Sequence, residues 1–169
     1  AYISGGTFKS PRDGIRNLSG KAIISGTAEF NAPRVVVVSD TYTGSGSRTD
    51  TVIINGGTFI GSTHVLYSSA STSSSNTATG QLIVNGGYFC GTNSNIAVKG
   101  STGKITLNGG KYNEKSGGTT FKTQITNNKG ATTTITDISE NKTIDGTNYT
   151  FVYELKTPFT VTWNAGSSY

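Results

Sequence analysis

With one cysteine, one histidine, three prolines and no methionine among its 169 residues, this sequence excludes several kinds of protein at once. The lone Cys90 cannot close an internal disulfide, so no disulfide framework is available. One His and one Cys make no zinc site unless carboxylates join them, and no metal or other cofactor is expected. Charge is scarce too, at 14% of residues, where an ordinary soluble domain carries about a quarter. That argues against both charged disorder and a helical bundle. No run of eighteen apolar residues occurs, so no membrane-spanning helix is expected. The fourteen basic residues lie scattered from Lys9 to Lys156. The net charge of +5 therefore reads as a solvated surface rather than a nucleic-acid stripe.

Glycine, by contrast, is abundant, with 23 copies, and Ser, Thr and Asn are plentiful. Runs of Val, Ile, Thr, Tyr and Phe punctuated by Gly and Asn read as short strands with frequent turns. An all-β chain of one domain's length follows.

A repeat organises those strands. Five copies are legible: Ile3-Ser4-Gly5-Gly6-Thr7-Phe8, a degenerate Ile24-Ser25-Gly26-Thr27-Ala28-Glu29-Phe30, Ile54-Asn55-Gly56-Gly57-Thr58-Phe59, Val84-Asn85-Gly86-Gly87-Tyr88-Phe89 and Leu107-Asn108-Gly109-Gly110-Lys111-Tyr112. Before each of the last four lies an apolar run: Ala22–Ile24, Val52–Ile54, Leu82–Val84 and Ile105–Leu107. Each of the first four motif aromatics leads, six or seven residues on, to Ile15, Val36, Val65 or Ile96, within the further apolar runs Ile15–Leu18, Val35–Val38, Val65–Tyr67 and Ile96–Val98. Phe121 is the best counterpart in the fifth copy. Asn-Gly between apolar residues is also a hairpin signal. Only two or three residues follow each Gly-Gly before another breaker, however, too few to pair back on the preceding strand.

The spacing therefore predicts a single-stranded right-handed parallel β-helix, a solenoid of about five to six coils of three short strands, over residues 1–138. Residues 139–169 are expected to form a C-terminal β-hairpin cap, turning at Asp145-Gly146, or a connection to a following domain. Equivalent residues would stack about 4.8 Å apart, making a buried aromatic column of Phe8, Phe30, Phe59, Phe89 and Tyr112. The chain opens inside a motif copy with no signal peptide or initiator Met, so a fragment or mature domain of a longer protein is expected.

Length variation is confined to one corner. The third and fourth repeats are reached through long segments, 39–51 and 68–81, where other repeats have only a few residues. Insertions grouped on one face of a repeat protein often make its binding surface; the alternative is plain decoration, since Ser68–Gly80 is of low complexity.

The strings INGGTF, IVNGGYF and ITLNGGKY resemble the degenerate repeats of pectate-lyase-like right-handed β-helices. More closely, they look like the Gly-Gly-Thr-Phe repeats of hypothetical, adhesin-like proteins secreted or displayed by gut bacteria. The resemblance covers residues 1–112. It implies an extracellular or bacterial cell-surface location, with glycans, host surfaces and further domains of the same polypeptide as partners.

Chemistry is harder to place. Glycoside hydrolysis needs two carboxyl groups about 5–9.5 Å apart, and no two of the nine acidic residues share a strand or a DxD pattern. Asp40 and Asp50, at the base of one insertion, make the best pair; the alternative is that they end strands and hold turn amides. No catalytic residue is assigned and the chain is not expected to be an enzyme. The candidate ligand contacts are Arg34, Tyr42, Arg48, His64 and Tyr67. Arg34, His64 and Asn95 should fall in register at one corner, where an aromatic ring and a guanidinium suit a sugar acid; an outward polar column without a ligand remains the alternative. Cys90, beside Phe89, reads as a small buried hydrophobe. Three functions stay open: an adhesion or glycan-binding module acting through loops 39–51 and 68–81, a structural spacer, and a fragment of a polysaccharide lyase or hydrolase.

Overall fold

The computed structural model describes residues 1–17, 19–38, 46–73, 76–92, 95–99, 103–114 and 120–158. The first repeat contributes β1 (Tyr2–Ile3), β2 (Thr7–Lys9) and β3 (Asp13–Asn17). The second supplies β4 (Lys21–Ile24) and β5 (Glu29–Val38), the third β6 (Gly46–Ile54) and β7 (Thr58–Ser68). Then come β8 (Ala70–Ser73), β9 (Asn76–Val84), β10 (Tyr88–Gly91) and β11 (Asn95–Lys99). The fifth repeat holds β12 (Lys104–Leu107) and β13 (Gly109–Asn113). After it follow one helix, α1 (Thr120–Asn128), and two long strands, β14 (Thr134–Ile144) and β15 (Thr147–Lys156).

These strands make two sheets, and they correct the expected fold class. One sheet has six strands in the order β1-β4-β6-β9-β12, with β8 added to β9; the other has nine, β14-β15-β13-β10-β7-β5-β2, with β3 on β5 and β11 on β7. The all-parallel, three-stranded solenoid fails on two counts. The strands following the motif do not form a separate third sheet: in β5 and β7 they run on without a break from the motif aromatic. The bend there is a bulge between Ala32 and Arg34, around Pro33, whose missing N–H the irregularity accommodates. The nine-stranded sheet is also mixed, because β15 pairs antiparallel with both β13 and β14.

Within this frame successive repeats pair in parallel register. Phe8 lies opposite Phe30, Phe30 opposite Phe59, Phe59 opposite Phe89 and Phe89 opposite Tyr112. Their rings stack at 4.7, 5.5, 5.0 and 4.9 Å between centroids. Each fully buried ring contributes about 1.5–3 kcal/mol of transfer free energy. Ile24, Ile54, Val84 and Leu107 face them from the six-stranded sheet, and all four are fully buried. Phe8, the first ring of the column, is 39% exposed. Beside it, Asn85 Nδ2 donates to Asn55 Oδ1 at 2.9 Å and Asn108 Nδ2 to Asn85 Oδ1 at 3.1 Å. The second glycine of the motif turns the corner with positive φ; at Gly57 it is +109°, and a Cβ there would lie 2.8 Å from the Ala28 carbonyl oxygen. Sterics and stacking demand glycine together.

Helix α1 was not foreseen. Phe121 does not form a strand; it and Ile125, one turn apart, are fully buried and join the main core. The Thr- and Asn-rich sequence is a poor helix former, but the Glu114 carboxylate accepts the amides of Phe121 and Lys122 at 3.4 and 3.3 Å, meeting the unpaired donors of the first turn.

The C-terminal hairpin does turn at Asp145-Gly146, with φ of 49° and 76°, the double left-handed geometry of a tight two-residue turn. Its base pairs along β13, the last strand of the repeats, and packs Leu155 into the main core, while its outer half lies elsewhere. Bulges between Tyr112 and Asn113 and between Asp137 and Glu140 let it bend onto the outer face of the mixed sheet. There Phe151 and Ile144 bury Ile60 and Cys90 in a second, smaller core. Lys111 bonds Glu140, Tyr88 Oη donates to Glu140 at 3.0 Å, and Lys142 Nζ sits 3.7 Å above the Tyr88 ring. The hairpin is a strap across the repeats.

Candidate functional site

The strand register brings the candidate corner residues together. Asp13, Arg34, His64 and Asn95 occupy equivalent positions on β3, β5, β7 and β11. They are bonded in two pairs rather than standing as a row of independent groups. Arg34 grips Asp13 through Nε–Oδ1 at 2.6 Å and Nη2–Oδ2 at 2.9 Å, the bidentate fork that a carboxylate of a sugar acid would otherwise occupy. Asn95 Nδ2 lies 3.3 Å from His64 Nδ1, and Gln124 Nε2 donates to Asn95 Oδ1 at 2.8 Å. The Gln124 oxygen accepts the amides of Ile96 and Ala97 at 2.8 and 3.0 Å, so the helix is stitched to the same column. His64 also stacks on Tyr67, 5.2 Å between centroids and 17° from parallel. Both rings are half-buried. They offer an aromatic surface beside a satisfied polar column.

Arg48 stands apart, on the other sheet. Its Nε lies 3.0 Å from Oδ2 of the fully buried Asp50, whose other oxygen accepts the Gly20 amide at 3.0 Å. A fully buried carboxylate with these partners is a staple for the strand, because burial without them would be costly. Tyr42 and Asp40 lie outside the described residues.

The two insertions meet along their described length. Gly46 to Thr51 of β6 pair in parallel with Asn76 to Gln81 of β9, and β8 closes antiparallel on β9. The arms are thus a sheet extension. At their foot Ser68 Oγ donates to the Gly80 carbonyl at 2.8 Å, and a Cβ on Gly80 would meet the Ser69 carbonyl oxygen at 2.6 Å. Tyr67 is the residue immediately before Ser68, so the aromatic pair borders the arms.

Most other carboxylates are engaged. Lys122 holds Asp137 at 3.1 Å, Lys156 holds Glu154 at 3.0 Å, Lys9 holds Asp145 at 2.6 Å and Lys111 pairs with Glu140. Tyr153 Oη donates to Glu114 at 3.0 Å. Among the described residues no group of three or more His, Cys, Asp and Glu side chains could hold a metal ion. Nor is any helix among them long and apolar enough to cross a membrane. Burial pushes the Cys90 thiol up to about 12, against a smaller opposing pull from Lys142, so it is protonated and unreactive at neutral pH.

One feature escaped the sequence entirely. Between the motif corners and the tip of the strap runs a cleft of about 480 Å³, lined by Gly26, Gly57, Gly87, Glu29, Tyr88 and the Lys142–Asp145 turn among others. Among the described acidic residues, Glu29 is the one whose carboxylate makes neither a hydrogen bond nor a salt bridge, with only the charge of Lys9 acting on it through space. No local signal places a hairpin against a surface more than fifty residues earlier in the chain.

Comparison with known proteins returns no match to a family model, a curated protein or a solved structure.

Proposed function

We propose that this chain is a non-catalytic binding module of an extracellular, bacterial surface protein, and that it takes a glycan or host-surface ligand along the face made by segments 39–51 and 68–81. The observation that carries the reading is the strand-paired platform of β6, β9 and β8 ending beside the His64–Tyr67 pair. Paired strands hold a surface at low conformational cost, and a half-exposed aromatic beside polar groups suits the apolar face of a pyranose. The engagement of most carboxylates, Asp145 on the strap cleft by Lys9 included, supports binding over hydrolysis, which would need two acids free to act on one bond.

A second reading, a structural spacer, is favoured by the pairing of Asp13 with Arg34 and of His64 with Asn95, which leaves that column less unmet capacity. A glycan array separates the two. Binding by the intact chain that weakens in Tyr67→Ala and His64→Ala with the melting temperature held supports the module; absence of any binding by the intact chain supports the spacer.

A further inference from the structure

The cleft under the strap brings polar side chains of the repeats and of the strap tip to one place. It has the volume of a small-molecule pocket, which runs from about 300 to 1,000 Å³. One wall is bare backbone at the stacked corners of Gly26, Gly57 and Gly87; the other is the strap tip from Lys142 to Asp145. Its charges cancel. Glu29 and Asp145 are balanced by Lys142 in the lining and by Lys9, which is bound to Asp145. A divalent cation would need several carboxylates converging, and none do. An anion would meet Glu29. Hydrogen-bonding side chains, by contrast, line it: the Glu29 carboxylate and the hydroxyls of Thr27, Thr58 and Thr143.

We propose that this cleft is a carbohydrate site separate from the insertion face, taking one or two neutral sugar units, with Glu29 accepting two ring hydroxyls. A polyol supplies the donors that this carboxylate lacks, and it brings no charge into a balanced cleft. The occupant touches both the repeats and the strap, so it clamps the strap shut. Cys90 reports on that clamp, because it is fully buried beneath Phe151 and Ile144 of the same hairpin and is the only thiol in the chain.

The test titrates the intact chain with neutral cello-, xylo-, manno- and maltohexaose, reading heat of binding and the rate at which a thiol reagent labels Cys90. At least one saccharide should bind and slow labelling. Glu29→Gln, which removes charge from a carboxylate that makes no hydrogen bond or salt bridge, should weaken that binding by roughly tenfold or more, the loss of a charge-assisted hydrogen bond, while leaving the melting temperature in place. His64→Ala and Tyr67→Ala should leave it intact. No binding by any of the four hexaoses overturns the proposal. So does binding that survives Glu29→Gln unchanged; if that binding is lost in Tyr67→Ala, the insertion face stands and only the cleft fails.

Discussion

Lys9 Nζ lies 2.6 Å from the carboxylate of Asp145, joining residues 136 positions apart. The first repeat is thereby tied to the tip of the last hairpin, and the strap spans the repeats between them. Both side chains are about half exposed, so the tie is a latch for the tip rather than a major source of global stability. Asp145→Asn, which removes the charge but keeps a residue that tolerates the left-handed turn, should speed thiol labelling of Cys90 severalfold while the thermal midpoint barely moves, and moderate salt should reproduce the effect in the wild type. Labelling that follows global unfolding in every variant would show that the strap does not open by itself.

Phe59 sits in the middle of the aromatic column, fully buried, whereas Phe8 terminates it at 39% exposure. Phe59→Ala should therefore cost about 3–5 kcal/mol by cavity formation. Phe8→Ala should cost well under half as much. Urea denaturation monitored by far-UV circular dichroism measures both, and equal costs would contradict that difference in burial.

Two positive-φ glycines should respond differently to the same change. At Gly57 a new Cβ meets backbone oxygen at 2.8 Å, while at Gly146 nothing lies within 4 Å. Gly146→Ala should lose about 1 kcal/mol from conformational strain alone. Gly57→Ala adds a steric clash between repeats and should lose at least about twice that. Chemical denaturation of the two variants decides the order.

Asp50→Ala removes the partner of Arg48 and the acceptor for Gly20 from a fully buried position. A loss of about 3–5 kcal/mol is expected, as for a broken buried pair. Asp137→Ala, on an exposed pair with Lys122, should cost less than about 1 kcal/mol. Similar losses would rank the Asp50 staple as an ordinary surface pair.

Stability should fall steeply in alkali. Burial raises Cys90 and Tyr153 to about 12 and moves Tyr112 and Tyr149 upward. Each of these groups is neutral when protonated, so the folded state holds its proton more tightly than the unfolded chain. Their stabilisation is complete below the ordinary thiol and phenol range, about 8.5–10, and is lost as pH rises from there towards the folded values. Cys90→Ala should flatten the part of the decline that begins near pH 9. An unaltered pH profile in that variant would refute the thiol's share.

Much of the interior was legible because the repeat carries its own ruler. Phe8, Phe30, Phe59, Phe89 and Tyr112 recur at one place in the motif, and parallel pairing of like with like puts them in contact whatever the sheet count. The alignment of Arg34, His64 and Asn95 follows from the same logic. The error over sheet number had a local cause: a bulge at Pro33 keeps the strands on either side of it in one sheet, and periodicity does not distinguish such a bend from a corner. Helix α1 was missed because Thr120–Asn128 has weak helical propensity and is held by Glu114 and by burial of Phe121 and Ile125.

The sequence by itself determined the pairing partners, the aromatic and asparagine columns, the glycine corners and the tight turn at Asp145-Gly146, since each is set by residues near in sequence or repeated along it. Only the tertiary structure decided where the hairpin lies, that Arg34 is engaged by Asp13, that Asp50 is a staple, and that a cleft opens beside Glu29. Those outcomes depend on the packing of non-repeating segments, where shape and burial choose among surfaces that no local pattern ranks.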